Sequence, residues 1–164
     1  MDAVDRILAQ WKEARPDLNV GSMGPIGRLS RIFHYATRNM AETFARHGLN
    51  AAGFDVLATL RRSPPPHALT AGELMTSMMI TSGTMTNRID QLVKTGHVVR
   101  TTDKDDARRA VIKLTKKGFD LIELAVVDHV RTQDALLAAL SDEETAQLDS
   151  ALRKLLKAAE GRGL

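Results

Sequence analysis

The chain contains no cysteine. That excludes a disulfide framework, a thiolate metal site and a thiol redox sensor. Aromatic residues make up only 4% of the sequence. A core must therefore be built from Leu, Ile, Val, Met and Ala. The shortage also argues against a strand-rich fold, because strands favour aromatic and β-branched side chains. No long apolar run occurs near the start, where Asp2, Asp5, Lys12 and Glu13 interrupt residues 2–14. This stretch reads as neither signal peptide nor membrane span, and a cytoplasmic protein without membrane contact is expected. There is no Ser-His-Asp or Cys-His set and no glycine-rich phosphate loop, and the five histidines show no metal-ligand spacing. No enzymatic activity, metal or cofactor is expected.

What the 164 residues do contain is a 43% apolar fraction and a net charge of +3. The length suits one domain, or one domain with an oligomerisation arm. The charge is unevenly placed. Between Ile80 and Gly118 nine Lys or Arg stand against four Asp, so this window carries more than the whole net charge. A local basic patch on a nearly neutral body suggests a polyanion docked in one place.

Apolar spacing predicts the elements. Val4, Ile7, Leu8 and Trp11 mark one face of a short helix that Pro16 ends. A second helix is predicted from near Pro25, a residue suited to the first helical turn, to Gly48. Asn50 can cap a third, carrying Phe54, Val56, Leu57 and Leu60 inward, before the break at Ser63-Pro64-Pro65-Pro66. Thr70 and Glu73 have the spacing of a capping box, so a short helix starts at Ala71. A turn near Met79 to Thr81 leads into a helix from Ser82 to Thr95, stopped by Gly96. Val98–Thr102 and Ala110–Leu114 read as strands joined by a charged loop. A long helix from Lys116 to Leu140 follows, and a second capping box, Ser141 with Glu144, opens the last helix.

The order helix, turn, helix, basic hairpin is a device for gripping DNA. On the helix from Ser82, at about 100° per residue, Met85, Ile89, Leu92 and Val93 form the core stripe. Gly83, Thr84, Asn87, Gln91 and Lys94 fall on the far side. Asn and Gln can bond an adenine edge bidentately, Thr can meet a base or a thymine methyl, and Lys can reach a phosphate. Arg88 sits beside the core stripe and points along the protein, which leaves both a structural ion pair, with Asp55 or another acid, and a ligand-sensing role open. In the hairpin loop, Arg108 is suited to the minor groove, where narrow A·T tracts concentrate negative potential. Asp103 and Asp106 would brace the arginine side chains. The expected DNA contacts are Thr70, Ser82, Gly83, Thr84, Thr86, Asn87, Gln91, Lys94, Arg108 and Arg109.

The amphipathic helices flanking this unit must bury their apolar faces against something. A second copy is the simplest partner, and a two-fold homodimer matches a pseudo-palindromic duplex operator. His34, near that seam, could make a dimer pH-sensitive or could simply be packed there. The expected fold is mainly α with a small β-hairpin wing, in one domain spanning 1–164. Residues 1–48 and 116–164 would form the helical dimerisation region, and 50–115 the winged helix-turn-helix.

The element order and the wing, Asp103-x-x-Asp106-x-Arg108 followed by Val111-Ile112-Lys113-Leu114-Thr115, resemble the MarR family of winged-helix regulators over nearly the whole chain. That resemblance implies a triangular dimer built by the terminal helices. Ala107 departs from it, since a basic residue is common there; the change removes one possible phosphate contact per subunit. Trp11 in an extra N-terminal helix, Arg15-Pro16-Asp17-Leu18, Phe54-Asp55-Val56-Leu57 and the run from Ser82 to Asp90 further resemble the urate-responsive branch of that family. In that branch a tryptophan, an aspartate and an arginine line a pocket for a small anion. The matching positions are Trp11, Asp55 and Arg88.

The sequence therefore predicts a homodimeric transcriptional regulator, most simply a repressor, that binds double-stranded DNA. A small anionic or aromatic effector such as urate would attenuate that binding. The alternative is a winged-helix module that binds only protein. Such a module would present an acidic or apolar outer face on its second helix, which this chain lacks.

Overall fold

The computed structural model describes residues 1–78, 82–102 and 109–162. The expected turn at Met79 to Thr81 and the loop residues Asp103, Asp106, Ala107 and Arg108 lie outside them, as do the side chains of Ser82, Gly83 and Thr84.

Helix α1 (Ala3–Ala14) starts on a capping box that was not expected. Asp2 accepts from the backbone of Val4 and Asp5, and the Asp5 side chain returns the bond to the Asp2 amide. Arg28, on α2 (Met23–Arg46), donates Nε to Asp2 at 2.7 Å and reaches Asp5 as well, which pins α1 to α2. The Arg28 hydrogen bond, helped by the Asp5 amide, lowers the Asp2 pKa from 3.8 to about 2. The bound form of Asp2 is thus the ionised one. Its contribution is fully present above pH 3.8 and disappears as the pH falls through about 2. Emission from Trp11, the sole tryptophan, should report α1 loosening from α2 over that window. Asp2→Asn, which still caps but cannot titrate, should remove this step; an unaltered acid profile would assign the step to another group.

Helix α2 begins two residues before Pro25. Met23 donates to Val20 and Gly24 to Gly21, which places Pro25 in the first turn, where its missing N–H leaves no bond unmade. Gly48, at φ +68°, ends it. Helix α3 (Ala51–Arg62) is capped by Asn50, whose side chain accepts from the Gly53 amide at 2.8 Å.

A strand that was not expected, β1 (Ala68–Thr70), follows. Then come α4 (Ala71–Met78), α5 (Ser82–Lys94), β2 (Val98–Thr102), β3 (Ala110–Leu114), α6 (Lys116–Leu137) and α7 (Asp142–Glu160). The sheet is antiparallel in the order β1-β3-β2. Ile112 at its centre faces Leu69 on one side and Arg100 on the other. Helix α6 stops at Leu137 rather than Leu140, because the chain turns there and Leu140 donates back to Leu137. Ser141 and Glu144 form the expected capping box of α7.

The core lies under the wing. Leu57 and Leu60 of α3, Leu74 of α4, Met85 and Ile89 of α5, Ile112 of β3 and Ile122 of α6 are all at most 2% exposed. Val93, expected in the core stripe, is 39% exposed. It falls on the edge of the stripe that Met85, Ile89 and Leu92 centre, near the helix end. The arms are the opposite. Helix α7 buries no residue and α1 buries only Val4. Among the described residues no helix is long and apolar enough to cross a membrane.

Candidate nucleic-acid interface and effector site

The surface of α5 away from the core carries Thr86, Asn87, Gln91 and Lys94, all exposed. Ser82, Gly83 and Thr84 belong to its first turn. Both sides of this helix are held. On its flank Asp90 pairs with Arg100 of β2 at 2.9 Å, so Arg100 is engaged within the protein. Beyond its end, Lys117 Nζ donates to the Thr95 carbonyl at 2.8 Å, and Thr115 Oγ1 donates to the carbonyl of Gly96. The two amides and the lysine thus stand on a platform fixed by the wing and by the start of α6.

Thr70 sits where β1 becomes α4. Its hydroxyl donates to the Glu73 carboxylate at 2.8 Å and accepts from the Glu73 amide at 3.2 Å, so that group is committed to the helix cap. Arg109 is exposed just before β3. Arg108, expected at the wing tip, lies outside the described residues.

Behind α5 the chain is tightly joined. Thr115 caps α6 by accepting from the Gly118 amide at 3.0 Å. The same threonine donates, through both its amide and its hydroxyl, to the His97 carbonyl. A Cβ on Gly118 would lie 1.9 Å from that oxygen. Only glycine permits α6 to start this close to the link between α5 and β2, and nothing in the sequence marks Gly118 apart from other glycines.

Asp55 of α3 and Arg88 of α5 share one neighbourhood with His129 of α6. The Asp55 carboxyl reaches solvent, yet enough protein surrounds it that partial burial raises its pKa, while the charges of Arg88, Arg62 and His129 act in the opposite sense. Burial in turn lowers the His129 pKa, opposed by Asp55. No ion pair or hydrogen bond joins the three among the described residues. Arg88 Nε and His129 Nδ1 are both buried without a partner. Of the two roles left open for Arg88, the structural ion pair is not formed among the described residues. Leaving such groups unmatched costs roughly 1–3 kcal/mol each, which marks the spot as unfinished.

Beside this junction an open cleft of about 720 Å³ separates the start of α3 from α5, lined by Asn50, Gly53, Asn87, Arg88, Gln91 and His97 among others. Asn87 and Gln91 thus belong to both the outer face of α5 and the cleft. Trp11, 39% exposed on α1, is not among the residues lining it. His34 is exposed on α2 with its ring edge-on to Tyr35. His129 was not singled out from sequence, because spacing along α6 carries no sign that its ring meets α3.

Residues 47–109 match the model of the MarR family. The HTH-type transcriptional regulator PecS of Dickeya dadantii (strain 3937) is 37% identical over 154 residues, covering 94% of this chain and 93% of its own length. A solved complex of a cysteine-to-serine mutant of E. coli MarR with operator DNA superposes with a TM-score of 0.72 at 27% identity, covering 84% of this chain and 97% of that one. Bordetella bronchiseptica BpsR, solved in work on regulation of its DNA binding by 6-hydroxynicotinic acid, is alike in fold. Its TM-score is 0.68 at 23% identity, over 80% of this chain and 98% of that one.

Proposed function

We propose that this chain, which belongs to the MarR family of DNA-binding transcriptional regulators, acts as a homodimeric repressor whose grip on a pseudo-palindromic operator is loosened by a small anionic heterocycle such as urate. The observation that carries the DNA reading is the exposed face of α5. Asn87 and Gln91, held by an anchored helix, offer the paired donor and acceptor that an adenine edge requires. Two such helices would enter successive major grooves. Arg108 and Arg109 would reach the flanking minor grooves from the wings. The operator complex of the E. coli relative supports this docking. A module that binds only protein is not favoured by these polar and cationic groups.

The effector reading rests on Arg88, whose buried Nε has no partner and which lines a cleft together with Asn87 and Gln91 of the reading face, and on Asp55, whose carboxyl feels the Arg88 charge although it does not line that cleft. An occupant there would act directly on the side chains that meet bases. Trp11 would join the site from the dimer arm. Regulation of BpsR DNA binding by 6-hydroxynicotinic acid supports an effector of this kind.

A mobility-shift titration on the protein's own upstream region tests the DNA reading. Arg108→Ala should weaken binding to all duplexes alike and flatten the salt dependence, because a phosphate or groove cation is lost. Asn87→Ala should cost about 1–3 kcal/mol on the operator only, relaxing preference toward random duplex. Equal losses on both duplexes for Asn87→Ala would remove it from base reading.

A further inference from the structure

We infer that Met75 is a site of oxidative modification, and that its conversion to the sulfoxide by hypochlorous acid loosens the wing from the reading helix and weakens the hold on the operator. The inference is independent of the effector reading and rests on the operator reading for its consequence.

The chain has no cysteine, so methionine is the sulfur side chain left to meet an oxidant. Met75 stands apart by position. It lines a cleft of about 280 Å³ where α4, α5 and the two wing strands meet, with Met85, Thr86, Ile89, Arg100 and Ala110. Thr86 is one of the expected DNA contacts, and Ala110 follows Arg109 at the foot of the wing. The two parts that reach DNA therefore share this seam. Met75 is half-buried, packed against the core yet reachable from solvent. Met85 lines the same cleft at 2% exposure, so the seam offers a reagent one thioether and shields the other. Met40 and Met78 are half-buried too, but neither lines this cleft.

The Met75 Sδ lone pair takes chlorine from hypochlorous acid and releases hydroxide. Hydroxide adds at sulfur, then chloride and a proton leave. Sulfur gives up two electrons and chlorine gains them, so the products are a sulfoxide, chloride and a proton. The sulfoxide is polar and carries a strong acceptor oxygen where the thioether had only a weak one. Holding that oxygen against Ile89 without a donor is unfavourable. The cation lining the cleft is Arg100, which braces β2 to α5 through Asp90 at 2.9 Å. The new oxygen either competes with Asp90 for that guanidinium or, unmet, forces the cleft apart. Both responses move the wing relative to α5.

The test treats the full chain with graded hypochlorous acid, quenches with free methionine and measures binding to its operator. Peptide mass mapping should find one added oxygen on Met75 before Met85. Operator affinity should fall about tenfold, and methionine sulfoxide reductases for both epimers, with dithiothreitol, should restore it. Met75→Leu keeps volume and apolarity, so its untreated affinity should stay within about twofold and treatment should leave it there. Met85→Leu should respond as the unaltered protein does. The inference is overturned if Met75 is oxidised no earlier than Met85, if converted Met75 leaves affinity unchanged, or if Met75→Leu loses as much affinity as the unaltered protein. If the untreated protein ignores the operator, the operator reading falls by itself. Melting curves then decide the inference: treatment should lower the melting temperature of the unaltered chain but not of Met75→Leu, and equal shifts, or none, would overturn it.

Discussion

Gly118→Ala is expected to weaken operator binding about tenfold or more, although residue 118 is buried behind the reading helix. The added Cβ would meet the His97 carbonyl oxygen at 1.9 Å, its carbon at 2.8 Å and the His97 Cα at 3.2 Å. All three are backbone atoms, so no side-chain rotation relieves the clash. Relief requires α6 to withdraw from the link between α5 and β2. Withdrawal breaks the bonds from Thr115 to the His97 carbonyl and the bond from Lys117 to Thr95, which hold the end of the reading helix. Overpacking of this kind falls in the range of about 1–3 kcal/mol, with the lost bonds adding to it. A loss of about 3 kcal/mol would lower the melting temperature by about 6–12 °C for a chain of this size. Operator affinity should drop by about tenfold or more, because base contacts need the α5 face held to within a fraction of an ångström. Circular dichroism melting and a binding isotherm on the same variant check both. Near-native values in both would show that α6 can part from the loop without moving α5.

Much of this architecture could be read from the sequence because its signals are local. Thr70 with Glu73 and Ser141 with Glu144 place two helix starts by a spacing of three residues. The division of α5 into a core face at Met85, Ile89 and Leu92 and a polar face at Asn87, Gln91 and Lys94 follows from helical period alone. What escaped depends on distant partners. Strand β1 is three residues long and exists because β3, far along the chain, pairs with Ala68 to Thr70. The need for glycine at 118 comes from the His97 carbonyl, and the meaning of His129 comes from Phe54 and Asp55 on another helix. For the same reason Trp11, Asp55 and Arg88 could be named from a resemblance, whereas only three-dimensional placement brings the latter two together beside a histidine.

Leu156→Glu is expected to convert the proposed dimer into monomers and to reduce operator affinity by about 100-fold or more. On α2, Ile26, Ile32 and Phe33 are 59%, 59% and 69% exposed, and on α7 Leu155 and Leu156 are 56% and 61% exposed. Leu29, Leu152, Leu155 and Leu156 together line an apolar groove between these helices. Contiguous apolar surface on this scale marks an interface. It lies on the arms and not on the winged core, where a second copy could cover it without obstructing α5. A carboxylate at 156 would be hydrated in the monomer at little cost. In a dimer it would be stripped of water beside an Arg153 already engaged by Asp149, a penalty of several kcal/mol. Each chain should still fold, because Leu156 contributes nothing to the buried core under the wing. Helical circular dichroism should therefore be retained while light scattering reports half the mass. Affinity then falls through the loss of linkage between two reading heads, an advantage of about 10² to 10⁴ that needs both helices on one assembly. Binding to a single half-site should be nearly unaffected. A variant that remains dimeric would place the subunit contact elsewhere on the arms. A monomer that binds the full operator as tightly as the unaltered protein would show that one reading head suffices.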